Sequence, residues 1–179
     1  MGISRILVIG GLLLIASTGL APAWATDATD LDVGLKTLPL MSRRLDGPIN
    51  MAIVFDPDNA RSKDDALAIK AAADRRSAGV NGQGLVAMPV AASDLVSFKG
   101  AKVIFVAQGV GDAVFDLVAQ VAASDGLLSI SADLRCVRAS KCILGIVSRP
   151  TVEVYFSRHA GDAAHIGFSP AFIMLARPT

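Results

Sequence analysis

The sequence has one glutamate (Glu153), two histidines (His159 and His165) and two cysteines (Cys136 and Cys142) in 179 residues. Beyond residue 25 it has no apolar run approaching the roughly 18 residues that a membrane-spanning helix needs. Each scarcity removes a class of function. The acidic stretch "DPDNARSKDD" (56–65) lacks the glycine and the terminal bidentate glutamate of a calcium-binding EF-hand loop. The histidines are six positions apart, a spacing that does not put both on one helix face. With only two cysteines beside them they make a weak metal set. There is no basic excess, 17 basic groups facing 16 acidic ones, and so no electrostatic footprint of a nucleic-acid binder. Internal repeats, linkers and low-complexity tracts are also missing.

The first residues, "MGISRILVIGGLLLIASTGLAPAWA", place one positive charge at Arg5 before an apolar stretch, then small residues with a proline. Ala23 and Ala25 supply the A-x-A pattern that signal peptidase needs. The expectation is a secretory leader over 1–25, cleaved after Ala25, and a periplasmic chain of residues 26–179 forming one domain. Cleavage removes Arg5 alone, which leaves 16 basic against 16 acidic groups. Long-range steering towards a partner is then weak. Fifteen of the acids are aspartates, which favour turns and helix caps. In an oxidising compartment Cys136 and Cys142 pair most simply as a disulfide. So short a loop constrains the unfolded chain by about 2 kcal/mol. Free thiols would follow only in a reducing compartment. "CVRASKC" is not the C-x-x-C of a redox centre.

Hydrophobic periodicity predicts an α/β domain with a mixed, largely parallel sheet flanked by helices. "INMAIVF" reads as a buried strand, and a helix follows from Ser62, with Asp65 completing a capping-box-like start. "LVAMPVA" is a peripheral strand because Pro89 cannot donate to a ladder. "KVIFVA" is central. The helix after it has Val114, Leu117, Val118 and Val121 on one face and Asp112, Asp116 and Gln120 on the other. "GLLSIS" is a further strand, "CILGIVSRPTVEVYFS" an antiparallel hairpin turning at "SRP", "HAGDAAHIG" a short helix or loop, and "AFIMLAR" a last strand. Residues 26–48 resist assignment beyond Pro39 breaking any long helix.

Two motifs invite catalytic or cofactor readings. "AQGVGDAVFDL" (107–117) opens a helix after a strand, as a dinucleotide fingerprint does, but Val114 stands where the third small residue belongs. No acid ends the following strand, and Asp112 is better read as an N-cap. "GFSPA" (167–171) resembles a nucleophile elbow. Pro170 has no N–H for the oxyanion hole, and no histidine follows Ser169. The reading is therefore non-enzymatic, with no cofactor and no metal.

The segment "INMAIVFDPDN…KVIFVAQ…GLLSIS…CILGIVSRPTVEVYFSRHAGDAAHIGFSPAFIMLAR" resembles the YfiR-like periplasmic proteins. Its tail "GFSPAFIMLAR" follows that family's glycine–x–serine–x–x–apolar–leucine–alanine–arginine ending. The resemblance implies an exported regulator that binds the periplasmic sensor domain of an inner-membrane protein, a diguanylate cyclase in the best-known members, so that cyclic-di-GMP output follows the envelope state. Arg135, Arg138 and Lys141 flank the cysteines in a small basic loop, the candidate partner surface; plain solvation also explains such a loop. Reduction of the disulfide should then alter partner affinity. A homodimer is left open. The other reading is a small-ligand binder resembling one lobe of a solute-binding protein, with its ligand at 56–59 and 108–111. A small exported enzyme of unrecognised type ranks last.

Overall fold

The computed structural model describes residues 25–76 and 79–179; apart from Ala25, the expected leader lies outside them. The elements in chain order are α1 (Ala28–Lys36), β1 (Ile49–Phe55), α2 (Ala60–Asp74), β2 (Leu85–Ala91), β3 (Val103–Val106), α3 (Asp112–Asp125) and β4 (Leu128–Ser131). They continue as α4 (Leu134–Arg138), β5 (Leu144–Val147), β6 (Glu153–Phe156), α5 (Arg158–Ala163), α6 (Pro170–Leu175) and β7 (Arg177–Pro178). One seven-stranded sheet runs in the order β2-β1-β3-β4-β5-β6-β7. Pairing is parallel from β2 through to β5, and β5–β6 is the antiparallel hairpin. The fold is thus the α/β arrangement with a mixed, largely parallel sheet that the apolar pattern predicts. Strand β2, with Pro89, takes the edge, and β3 is central between β1 and β4.

The near-continuous apolar strands follow from burial on both faces. Met51 and Ile53 of β1 join Leu31 and Leu35 of α1 and Ile69 and Ala73 of α2 in one core. Their neighbours Ala52 and Val54 join Phe115, Val118 and Val121 of α3 on the other face, because successive strand side chains alternate. Burying side chains of this size contributes about 1.5–3 kcal/mol each. The inward stripe of α3 is centred on Phe115, Val118, Val121 and Ala122, with Val114 and Leu117 at its margin. It is rotated slightly from the stripe read off the sequence, because Phe115 has the largest area to hide.

Several local readings need correction. Helix α2 is capped by Asn59, whose side chain accepts the Arg61 N–H, and not by Ser62. Ser62 is buried in the first turn, where its hydroxyl accepts the Asp56 N–H. Gly111 rather than Asp112 is the N-cap of α3. The tail 170–175 is a helix, not a strand: Ser169 caps it and Pro170 fills the first turn, a pairing suited to helix starts. Only Arg177 and Pro178 then join the sheet, beside β6. The unassigned N-terminal stretch contains α1, opened by a reciprocal Asp27–Asp30 capping box. Pro39 sits in a short 3₁₀ turn, residues 38–40, immediately after it.

The disulfide forms between Cys136 in α4 and Cys142 ahead of β5, with Cα atoms 5.2 Å apart, and both residues are fully buried. It lies in the core shared with Phe115. Gly145 of β5 lets α4 approach this closely. A Cβ there would stand 2.4 Å from Val137 Cγ1 and 3.0 Å from Leu134 Cδ2. Gly145→Ala should therefore destabilise the protein by about 1–3 kcal/mol through overpacking. Gly84→Ala meets nothing within 4 Å and serves as control. Urea denaturation that shows equal midpoints for the two variants would contradict this packing.

Candidate functional site

The chain leaves β1 towards the edge strand β2 and returns on the other side of β1 as β3. Open α/β sheets place ligand sites outside the strand carboxyl ends at such a reversal. The two loops expected there, 56–59 and 108–111, do meet, but they are clipped to one another. Asn59 Nδ2 donates to the Gly109 carbonyl at 2.7 Å. Gly109 has φ +78°, the left-handed conformation that favours glycine.

Asp65 of α2 ties the same corner together. Its carboxylate is 1 % exposed. Oδ1 accepts the Thr26 N–H at 2.6 Å, and Oδ2 accepts the Thr26 hydroxyl at 2.8 Å and the Gln108 N–H at 2.7 Å. Three segments far apart in sequence therefore converge on one side chain: the lead-in to α1, the first turns of α2 and the loop after β3. The sequence shows Asp65 only as a helix-start acid, because its partners lie 39 and 43 positions away.

Beside this clip a cavity of about 560 Å³ opens, lined by Thr26, Asp27, Asp30, Arg75, Gln108 and the 146–149 segment. Its most telling group is Asp30, 8 % exposed. Oδ2 accepts the Asp27 N–H at 2.9 Å, whereas Oδ1 has no partner of hydrogen-bonding geometry. Burial pushes the Asp30 carboxyl above its usual range, an effect that the nearby Ser148 hydroxyl and backbone offset only in part. Asp27 at the rim is paired with Arg149 of the β5–β6 turn. A buried carboxyl oxygen with an open acceptor site suits a ligand bearing an amine or hydroxyl.

The basic residues singled out in the sequence are brought to one region, each against a neighbouring side chain, with Arg135 and Arg138 on a helix and Lys141 in the turn that follows it. Arg135 and Arg138 belong to α4. Arg135 bonds Asp133 through Nε and Nη2 and lies over the Phe115 ring. Lys141 pairs with Asp116 at 2.6 Å, and Arg138 lies 5.9 Å from the Tyr155 ring centre. These neighbours offset much of the positive field the sequence suggests.

A surface without any sequence signal lies at the opposite edge of the sheet. Leu40, Val152, Val154, Phe172 and Leu175 line a groove of about 500 Å³ beside β6. On α6 next to it, Met174 and Leu175 are each 86 % exposed. Read as a strand, this tail would alternate inward and outward. As a six-residue helix it buries Phe172 and leaves the next apolar residues in water.

No family model matches the chain, and no curated protein matches it. Solved structures do. A conserved domain protein of Vibrio cholerae O1 biovar El Tor superposes with TM-score 0.59 at 13 % identity, over 85 % of this chain and 59 % of that one. The ABC domain of Streptococcus pneumoniae, solved in complex with L-Trp, gives TM-score 0.57 at 12 % identity, over 84 % and 59 %. The chain thus spans about three-fifths of the length of each. At these identities the likeness is one of fold.

Asp30 yields a pH test. Its folded-state pKa lies above the ordinary 3.8, so the ionised form is disfavoured in the folded protein. Ionisation therefore subtracts stability at and above the folded pKa, and the deficit vanishes below the ordinary value. Asp30→Asn keeps an acceptor for the Asp27 N–H. It should raise Tm by a few degrees near pH 7, a gain lost in acid below about pH 3.8. Thermal scans showing the same difference at both pH values would rule out the burial effect.

Proposed function

We propose that this chain is a non-enzymatic, periplasmic signalling regulator. It binds the periplasmic sensor domain of an inner-membrane protein, and the YfiR-like resemblance makes a diguanylate cyclase the expected partner. The observation that carries the reading is the apolar surface of α6 and its groove. Monomeric proteins rarely leave adjacent large apolar residues such as Met174 and Leu175 in water unless a partner covers them. Such a regulator works by binding one conformation of its partner better than another. The buried disulfide and the leader pattern support an exported setting. The Arg135, Arg138 and Lys141 cluster is the secondary contact surface in this proposal.

A second reading, a small-ligand binder, is favoured by the cavity over Asp30 and Arg75. The Streptococcus pneumoniae domain of similar fold was solved with an amino acid bound. Ligand and partner binding are compatible in one chain, since the cavity and the apolar groove are lined by different residues.

Capture from the native periplasm tests both. The tagged protein is crosslinked in place and the membrane proteins recovered with it are identified by mass spectrometry. One sensor-type membrane protein should be recovered, and Met174→Asp with Leu175→Asp should lower its yield at least tenfold, an effect of about 1.4 kcal/mol. Charge reversal of Arg135, Arg138 and Lys141 should have the smaller effect. Recovery of no membrane protein, or only of further copies of this chain, contradicts the regulator reading. Thermal shift against free amino acids and amines then decides the second, with Asp30→Ala expected to abolish any shift.

A further inference from the structure

Thr26 is the first residue that would remain after cleavage at the A-x-A pattern, and its nitrogen is the atom that meets Asp65 at 2.6 Å. In the uncleaved chain that nitrogen is a neutral amide. Hydrolysis of the Ala25–Thr26 bond consumes one water. It leaves a carboxylate on Ala25 of the released peptide and a primary amine on Thr26, which takes up a proton near neutral pH. We propose that this new α-ammonium docks on Asp65 as a buried ion pair, so that export and cleavage lock the corner of the fold that shapes the cleft.

The geometry suits the exchange. Asp65 is already almost entirely removed from water, and its three named donors are neutral N–H and O–H groups in the uncut chain. Replacing an amide by an ammonium keeps the hydrogen bond and adds a charge where solvent screens least. The Thr26 hydroxyl, bound to the second oxygen, fixes the nitrogen's approach. The other charged groups around this corner are Asp27 and Asp30 of the α1 start, Arg75 at the end of α2 and Arg149 of the β5–β6 turn, which pairs with Asp27. These four balance, two acids against two bases, so the net charge left at the corner is that of Asp65 itself, which favours a cationic terminus. Because Asp65 also holds the Gln108 N–H, the same charge steadies the loop after β3 that lines the cleft. The proposal is independent of which partner or ligand the protein binds.

The test uses protein secreted through its own leader. Intact mass should show Thr26 as the first residue; a chain beginning elsewhere overturns the proposal. The α-amine, followed by NMR after isotopic dimethylation, should titrate above about 9 instead of the ordinary 7.7–8.0 and return to the ordinary range in Asp65→Asn. Titration at the ordinary value in the wild-type protein overturns the proposal. Should Asp65→Asn fail to fold, the mature chain acetylated at its N-terminus keeps the N–H and loses the charge. It should fold at least tenfold less favourably near pH 7. A raised amine pKa adds stability that is complete below about 7.8 and disappears as pH rises through the folded value, so the gap should close above about pH 10. Equal stability of acetylated and free chains near pH 7 overturns the proposal.

Discussion

One buried carboxylate holds the functional end of this molecule together. From the first turns of α2, Asp65 holds the lead-in to α1 and the loop after β3 through bonds of 2.8 Å or less. A charge in that position is tolerated only while its oxygens are satisfied, since an unpaired buried carboxylate is heavily penalised. The same requirement fixes where α1 can begin, and α1 roofs the cavity. The Asn59–Gly109 clip closes the neighbouring gap at the end of β1, and the cavity opens beside it at the carboxyl ends of β3, β4 and β5, lined there by Gln108, Ala132 and the 146–149 segment.

Two candidate surfaces result, with different physical characters. The cavity is polar and built around Asp30, a group whose environment disfavours its own charge and leaves one oxygen free. The groove at the β6 edge is apolar and rimmed by side chains that the core does not need. Concave sites with a few convergent polar groups suit small molecules, whereas exposed apolar patches with a polar rim suit proteins. The shared wall is α1, which contributes Asp30 to the cavity and Val33 and Lys36 to the groove.

The fold was largely legible in the sequence, the sites much less so. Runs such as "INMAIVF" and "VIFV" are apolar throughout because both faces of their strands are covered, and Pro89 marks the edge. The Cys136–Cys142 pairing also needed little more than spacing and compartment. The tail misled because "AFIML" is too short to show a helical period, while the cap Ser169 and the first-turn Pro170 that decide it drew attention only as a nucleophile-elbow pattern. Asp30 and Thr26 lie in the unassigned stretch 26–48, where Leu31 and Leu35 alone make too short an apolar stripe to fix a helix. Asp65 looked like any helix-start acid until its distant partners were in place. The basic trio was visible, but not the acids that answer it: Asp116 comes from α3, and Asp133 is the cap of α4 itself, two residues before Arg135.

The central claim is that Asp65 organises the corner from which the cleft is built. Amide hydrogen exchange at Gln108, measured by NMR on the secreted protein, tests it most directly. Gln108 follows the last residue pairs of β3 and has the Asp65 carboxylate as its named acceptor. The account predicts exchange as slow as that of the β3 amides and a large acceleration in Asp65→Asn, with Val103–Val106 still protected. Rapid exchange at Gln108 in the wild-type protein, at the rate of an exposed loop, would contradict it.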